Sequence, residues 1–353
     1  MNAGSDIQVQ STTVNRQWVL AERPVDRAVR ETDFRLVESP LPVPGTGEFL
    51  VRALYLSVAP VMRLYMIDGA GIERPLGIGE VMRGRGVGQV IASNHPDFHV
   101  GDYVQGKLGW QEYSVSDGSP YFMMYKIRQQ LVPLSTAVGV LGLTGFTSYL
   151  GLVDIGQAKR GDTVLVSGAA GGVGSNVGWI ARNLGCRVVG IAGTSAKCWM
   201  LTERLGYDAA INYRTDDVPA RIRELCPDGV DVFFDNVGGE ILDHALAALN
   251  RYGRVVSCGR IAEYLKAPED AHRLRNWHRI GAQRATMRGF FIYDLAGDFP
   301  RAERQMAQWI AEGRMRPLED VLEGFEQMPR ALMRLYDGLN TGKQIVRLDA
   351  AAR

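Results

Sequence analysis

The rhythm of apolar and polar positions changes near Thr163. Before it, short β-type runs at 49–57, 86–92 and 103–104 stand among glycines and prolines, which predicts an irregular, mostly β unit reaching to about Arg128. After it, apolar runs of strand length at 163–167, 187–192, 209–213, 230–235 and 254–258 alternate with helical stretches. Strands covered by helices on both faces need no polar side, so the alternation predicts an α/β fold with a doubly wound parallel sheet. Past Asp298 a helical pattern at 302–312 leads through 321–337 into a last strand-like run at 344–348, and this tail is expected to return to the first unit. No internal repeat or low-complexity segment interrupts the chain.

Length agrees with two units, since 353 residues exceed what one core ordinarily fills. Hydrophobic residues at 46% and charged residues at 22% suit a globular protein, and a net charge of +1 gives no field for gathering nucleic acid. Cys186, Cys198, Cys226 and Cys258 show no Cys-x-x-Cys spacing and sit in strand-like or helical segments, where free cysteine packs as a small hydrophobe; a reducing cytoplasm is expected. The polar start, Met1 to Asn15, lacks the apolar core of a secretory signal. Residues 129–153 carry no charged side chain, but Pro133 and Gly139, Gly142, Gly145 and Gly151 break the stretch, so it reads as a buried helix pair ahead of the sheet, not a membrane span.

Chemistry enters at the end of the first parallel strand. Thr163 to Ser167 runs directly into Gly168-Ala169-Ala170-Gly171-Gly172-Val173-Gly174 and then into a helix. Glycines at 168, 171 and 174 permit a tight turn, close approach of backbone to a pyrophosphate and close helix–strand packing, while the helix N-terminus offers unpaired N–H groups to phosphate. A glycine motif alone also fits an ordinary tight turn; its place between strand and helix makes it the dinucleotide site of a Rossmann fold. At the end of the second strand, Gly193-Thr194-Ser195-Ala196-Lys197 lacks the carboxylate that holds an NAD ribose. A carboxylate about 4 Å from a 2′-phosphate would cost up to roughly 4 kcal/mol at an effective dielectric near 20. Gly193 instead leaves room, and Lys197, unless merely solvated, supplies positive charge, so NADPH is the expected cofactor.

A protein-bound zinc needs thiolate and imidazole ligands around an open position. The N-terminal unit has no cysteine, and His95, His99, His244, His272 and His278 show no ligand spacing, so no metal site is expected. One Tyr-x-x-x-Lys pair, Tyr103 and Lys107, lies upstream of the glycine turn in a strand-like stretch and reads as coincidence.

With these residues on the page, the chain resembles the zinc-independent medium-chain dehydrogenases/reductases of the leukotriene B4 12-hydroxydehydrogenase, prostaglandin reductase and curcumin reductase type. The likeness runs from about Asn15 to Leu348. It rests on Asn15-Arg16-Gln17-Trp18, Gly79-Glu80-Val81-Met82-Arg83-Gly84, Gly109-Trp110-Gln111-Glu112-Tyr113, the glycine turn, Phe234-Asp235-Asn236-Val237-Gly238-Gly239 and Asn340-Thr341-Gly342-Lys343. The resemblance implies a GroES-like substrate domain from 1–128 and 306–353, and a Rossmann NADP(H) domain at 129–305. It implies NADPH-dependent reduction of the C=C bond of α,β-unsaturated ketones and aldehydes, and often a homodimer. It places Tyr264 near the nicotinamide ribose as donor to the forming enolate, with a surface aromatic after a strand end as the alternative, and Tyr55 in the substrate pocket, where a plain core tyrosine is the alternative. It places Lys197 and Tyr213 by the 2′-phosphate, Asn236 by the nicotinamide half and Asn340 on the phosphates. The segment from Met287 through Phe290 and Phe291 to Ile292 is expected along the nicotinamide, with Cys258 opening the segment that ends at Tyr264. For Tyr213 and Asn340, a packed aromatic and a turn residue are the alternatives.

One departure stands out. Ala59 and Val61 flank Pro60 where the family commonly carries an acid and an aromatic, so an apolar or bulkier ligand is expected. A quinone oxidoreductase, or an NADPH-binding protein without catalysis, fits the same cradle.

Overall fold

The computed structural model describes residues 14–68, 73–127, 133–266 and 268–348. The unit boundary expected at 128/129, the start of the uncharged stretch and most of the polar N-terminal segment lie outside them.

Strands β1 (Val14–Leu20) and β2 (Phe34–Pro40) pair antiparallel at the start. The first large sheet is built on β3 (Phe49–Ser57), buried at eight of nine positions because its sequence is almost continuously apolar. A short helix α1 (Met62–Tyr65) follows, then β4 (Arg85–Ser93), β5 (Tyr103–Lys107), β6 (Tyr113–Ser116) and β7 (Tyr125–Lys126). Trp110, Phe49 and Met82 fill the core beneath it.

The uncharged stretch folds as a 3₁₀ turn (Leu134–Val138) and helix α2 (Leu143–Leu150), extended by a π-turn (Gly151–Ile155). The first of the expected helices is thus a single tight turn, bounded by Pro133 and by Gly139 in a non-helical conformation. Among the described residues no helix is long and apolar enough to cross a membrane.

The second sheet then builds in alternation: β8 (Thr163–Val166), α3 (Gly172–Leu184), β9 (Arg187–Ala192), α4 (Ser195–Arg204), β10 (Ala209–Asn212), α5 (Val218–Leu225), β11 (Val230–Asp235), α6 (Gly239–Ala247), β12 (Leu249–Ser257), α7 (His278–Gln283) and β13 (Thr286–Gly289). These six strands are parallel, in the order β10-β9-β8-β11-β12-β13. The order reverses beside β8, so the crevice at its carboxyl end is where such sheets take ligands. Val164, Leu165, Val166, Phe233 and Phe234 are fully buried, as strands covered on both faces require.

Helix α8 (Phe299–Ala311) packs on α2, with Phe299 stacked on Phe146 at 4.6 Å between ring centroids. The chain then returns: β14 (Glu319–Glu323), α9 (Met328–Tyr336) and β15 (Lys343–Arg347) add to the first sheet, β15 pairing antiparallel with β3. The α/β class, the parallel sheet and the return of the tail follow the sequence expectation.

Candidate functional site

The glycine turn closes the crevice floor. Gly168 adopts φ +58, a left-handed conformation that glycine reaches without strain. A side chain on Gly174 would put its Cβ 2.4 Å from the Gly168 carbonyl oxygen and 2.6 Å from Ala169 Cα, so only glycine lets α3 start this close to the turn. Gly171 is the N-cap and makes no side-chain cap bond, which leaves the first N–H groups of a 13-residue helix, from Gly172 through Val173 to Gly174, free to meet an anion. Ser148 on α2 donates to the Val173 carbonyl at 3.0 Å and ties that helix to the turn.

The end of β9 forms the second wall. Thr194 caps α4 by accepting from the Lys197 N–H, so the Lys197 side chain is presented from the first turn. Its ammonium donates to the Gly338 carbonyl at 2.7 Å and is half-buried; burial first, and the neighbouring Arg214 guanidinium second, hold its pKa below the usual lysine value. Tyr213 stands against Gly193, whose added Cβ would lie 2.9 Å from the ring, and is 45% exposed. Gly193, Lys197 and Tyr213 therefore come together, joined by Arg214, which sequence reasoning did not single out.

The third wall comes from β11 and β12. Ser167 donates to Asp235 Oδ1 at 2.7 Å and accepts from the Asn236 N–H at 2.8 Å, while the Asn236 amide donates to the Ser167 carbonyl at 2.8 Å. Asp235 also accepts from the N–H groups of Val237 and Gly238, yet burial outweighs these bonds and raises its pKa. This Ser167–Asp235 clasp sets the Asn236 side chain beside the glycine turn. The Cys258 N–H donates to the Asp235 carbonyl at 2.9 Å, and burial pushes its thiol up to about 12, so it stays neutral. Six residues on, the Tyr264 hydroxyl lies near Gly259; a phenol is protonated at neutral pH already, and burial raises its pKa further.

Past β13 the two phenylalanines part. Phe290 packs with Phe234 against Gly151, whereas Phe291 is 41% exposed and meets Tyr293 edge-on at 5.1 Å.

The returning C-terminal limb completes the floor. Gly342 donates to the Ala170 carbonyl at 2.7 Å and bridges to Gly171, bringing 340–343 onto the glycine turn. Asn340 is buried and donates to the Gly342 carbonyl at 2.9 Å, which braces that loop. Lys343 follows. Its stem lies 3.2 Å from the Cβ position of Gly172, its ammonium donates to the Val58 carbonyl at 2.7 Å, and burial lowers its pKa to about 8.

Lys343 also lines an open cleft with about 600 Å³ of atom-free space, the solvent at its mouth included. Ser57, Ala59, Val61, Leu143 and Tyr293 contribute to its walls. Neither Tyr264 nor Tyr55 lines it. Tyr55 is 6% exposed on β3 and belongs to the same buried cluster as Val138, a lining residue. Among the described residues no cluster of His, Cys, Asp or Glu could hold a metal ion.

An anion-ready glycine turn at the switch point of a parallel sheet, facing a cleft walled by a second β-rich unit, is the site of a dinucleotide-dependent oxidoreductase. Comparison with known proteins agrees. Residues 16–124 match the family described as the N-terminal domain of oxidoreductase, and 172–312 the one described as zinc-binding dehydrogenase. The NADPH-dependent curcumin reductase of Escherichia coli is 39% identical over 338 residues, 95% of this chain and 97% of that protein. The NADP(+)-dependent 2-alkenal reductase of Nicotiana tabacum is 38% identical over 340 residues, 94% of this chain and 97% of that protein. The crystal structure of CurA from Vibrio vulnificus in complex with NADPH superposes with a TM-score of 0.88 at 40% identity, covering 95% of this chain and 99% of that one. The chain belongs to the zinc-independent medium-chain dehydrogenases/reductases that include the curcumin, alkenal and prostaglandin reductases.

Proposed function

We propose that this protein reduces the C=C bond of α,β-unsaturated ketones and aldehydes with NADPH. The observation that carries the cofactor is the end of β9, where a half-buried lysine stands and no carboxylate does. The residues fit a phosphorylated dinucleotide. Gly168, Gly171, Gly172, Val173 and Gly174 would receive the pyrophosphate on backbone N–H groups, Gly193, Lys197 and Tyr213 the 2′-phosphate, and Asn340 would hold the loop against the phosphates. Asn236, Cys258, Phe290 and Phe291 would border the nicotinamide half. The enone specificity rests on relatives named for such substrates, among them a curcumin reductase, a 2-alkenal reductase and a pulegone reductase.

When bound, NADPH supplies the hydride that adds to the β-carbon. The protein's part is to hold a proton where charge develops on the carbonyl oxygen. Tyr264, a protonated phenol standing off the cleft, would deliver that hydrogen bond through the ribose hydroxyl. Tyr55 would stiffen the buried cluster that includes Val138 of the cleft wall.

Around this site the chain divides into a substrate unit, 1–128 with 306–353, and a nucleotide unit, 129–305, with helix α8 crossing the second boundary. Two copies would pair through β13, an edge strand exposed at all four residues. Four free thiols suit a reducing cytoplasm. The test is loss of NADPH absorbance with an enone and, separately, a quinone. Faster turnover of the enone supports the reading. Turnover of the quinone alone reassigns the protein as a quinone oxidoreductase, and inertness towards both leaves an NADPH-binding protein without catalysis.

A further inference from the structure

Reduction of an enone puts negative charge on its carbonyl oxygen, an atom with room for two hydrogen bonds, and the bond relayed from Tyr264 through the ribose supplies one. A second donor has to stand in the cleft itself, which neither Tyr264 nor Tyr55 lines. Part of the lining is charged, and those groups answer one another or the backbone. Glu73 pairs with Lys107 at 2.9 Å and stands 3.5 Å from Arg83. Arg85, opposite Lys107 in the β4–β5 register, donates to the Met123 carbonyl at 3.3 Å, and Lys343 donates to the Val58 carbonyl. Lys107 also lies between two aromatic rings, 4.7 Å from the centroid of Tyr121 and 5.3 Å from that of Tyr293. Tyr121 is 58% exposed, so this bracket marks the rim of the cleft and not its interior.

Tyr65 is placed differently. It closes α1 one helical turn after Val61, so the two share a face, and both line the cleft. The aromatic missing beside Pro60 at Val61 thus returns one turn later. The Tyr65 hydroxyl makes no hydrogen bond to any described residue, and it is not among the buried polar atoms sealed off from solvent. A phenol held in a cleft with its O–H free is set to donate to an oxygen that enters. Burial first, then Tyr293 and Glu73, raise its pKa and keep it neutral. Arg83, whose guanidinium lies 5.6 Å from the ring centroid, and Arg85 act in the opposite sense and strengthen the O–H as a donor. Ser57 and Thr144 line the cleft as well, but an aliphatic hydroxyl is a weaker acid than a phenol and a weaker donor.

We propose that Tyr65 donates a direct hydrogen bond to the carbonyl oxygen of the substrate and so fixes which way the enone lies in the cleft. The phenol keeps its proton throughout; it stabilises the enolate oxygen while the hydride comes from NADPH as before. The proposal rests on the reductase reading and adds the residue that grips the substrate.

Tyr65→Phe removes the hydroxyl and keeps the ring. With an enone and NADPH, kcat/KM should fall about tenfold or more, while NADPH affinity by titration calorimetry and Tm stay unchanged. A spectroscopic probe reads the contact itself: p-dimethylaminocinnamaldehyde, an enal whose absorbance moves to longer wavelength when its carbonyl oxygen accepts a hydrogen bond, held in the enzyme beside NADP⁺, which has no hydride to give. The wild-type complex should show the red shift, Tyr65→Phe should lose most of it, and Tyr293→Phe, at the rim, should keep it. Loss of rate together with loss of the shift in Tyr65→Phe supports the proposal. An unchanged rate, an unshifted wild-type complex, or equal losses of the shift in Tyr65→Phe and Tyr293→Phe overturns it and leaves the reductase reading intact. A shift that survives Tyr65→Phe overturns it too, even where rate and Tm fall, because the residue is then structural. No turnover of the enone by the wild type removes the reductase reading and this proposal together.

Discussion

Lys197→Ala tests the cofactor assignment at the point where two nucleotides differ by a single phosphate. The Lys197 ammonium is half-buried, donates to the Gly338 carbonyl, and has Arg214 as its neighbouring cation. An ammonium has three donors and one is used on Gly338, which leaves capacity for an anion, although Asp320 and Arg334 also lie within electrostatic reach. A hydrogen bond to a charged group contributes about 1.5–3 kcal/mol, so removing the side chain should weaken NADPH binding roughly 10- to 150-fold. The lower part of that range is expected, because Arg214 remains to attract the phosphate. NADH has no charge at that position and should lose less than about threefold. Dissociation constants for both nucleotides by titration calorimetry give the comparison, and Arg214→Ala alone and combined with Lys197→Ala gives the coupling between the two cations. Equal weakening of NADH and NADPH would refute the reasoning, since a loss common to both means that the substitution disturbed the adenosine site as a whole. An unchanged NADPH affinity would refute it as well, because the phosphate would then be held elsewhere.

Tyr264→Phe should lower kcat by about 10²- to 10³-fold with NADPH affinity nearly unchanged, the size seen when one donor to a developing oxyanion is removed; stopped-flow reduction of an enone reads it, and an unaltered kcat removes Tyr264 from the chemistry. Gly174→Ala forces a Cβ to 2.4 Å from a backbone oxygen. Backbone cannot yield as a side-chain end does, so a loss of about 1–3 kcal/mol, seen as a Tm lower by several degrees in calorimetry, should accompany weaker NADPH binding. The Lys343 stem lies against the start of α3, and its ammonium, held by the Val58 carbonyl, has its pKa lowered to about 8 by burial. Below that pH it is charged in the free protein and above it neutral, whereas a bound phosphate favours the charged form. NADPH binding near pH 8 should therefore take up protons and weaken as pH rises further, which calorimetry in buffers of different ionisation enthalpy measures; no proton uptake would place Lys343 away from the phosphates.

Much of this molecule was legible from its sequence because the signals are local. The turn from Gly168 to Gly174, the strands at 163–167 and 230–235 and the missing carboxylate after β9 each lie within a few consecutive residues, and their physics is that of backbone sterics and one helix N-terminus. Strand β14, with the sequence Glu-Asp-Val-Leu-Glu, carries no alternation that would announce it and exists because β15 pairs with it in register. The first helix of the uncharged stretch shrank to one 3₁₀ turn once Pro133 and Gly139 bounded it.

The cradle's side walls needed the fold. Arg214 joins Lys197 only because β10 lies beside β9, and Lys343 reaches the glycine turn only because β15 pairs with β3 and Gly342 bonds Ala170. The charged half of the cleft is the plainest case. Arg83 and Arg85 are neighbours in sequence, but Lys107 meets them through the β4–β5 register and Glu73 through ion pairs formed in space. Ala59 and Val61 could announce an apolar wall by themselves, because side-chain polarity belongs to the residue. Which charges face that wall across the cleft depends on strand register, a pairwise property of segments that sequence order does not hold.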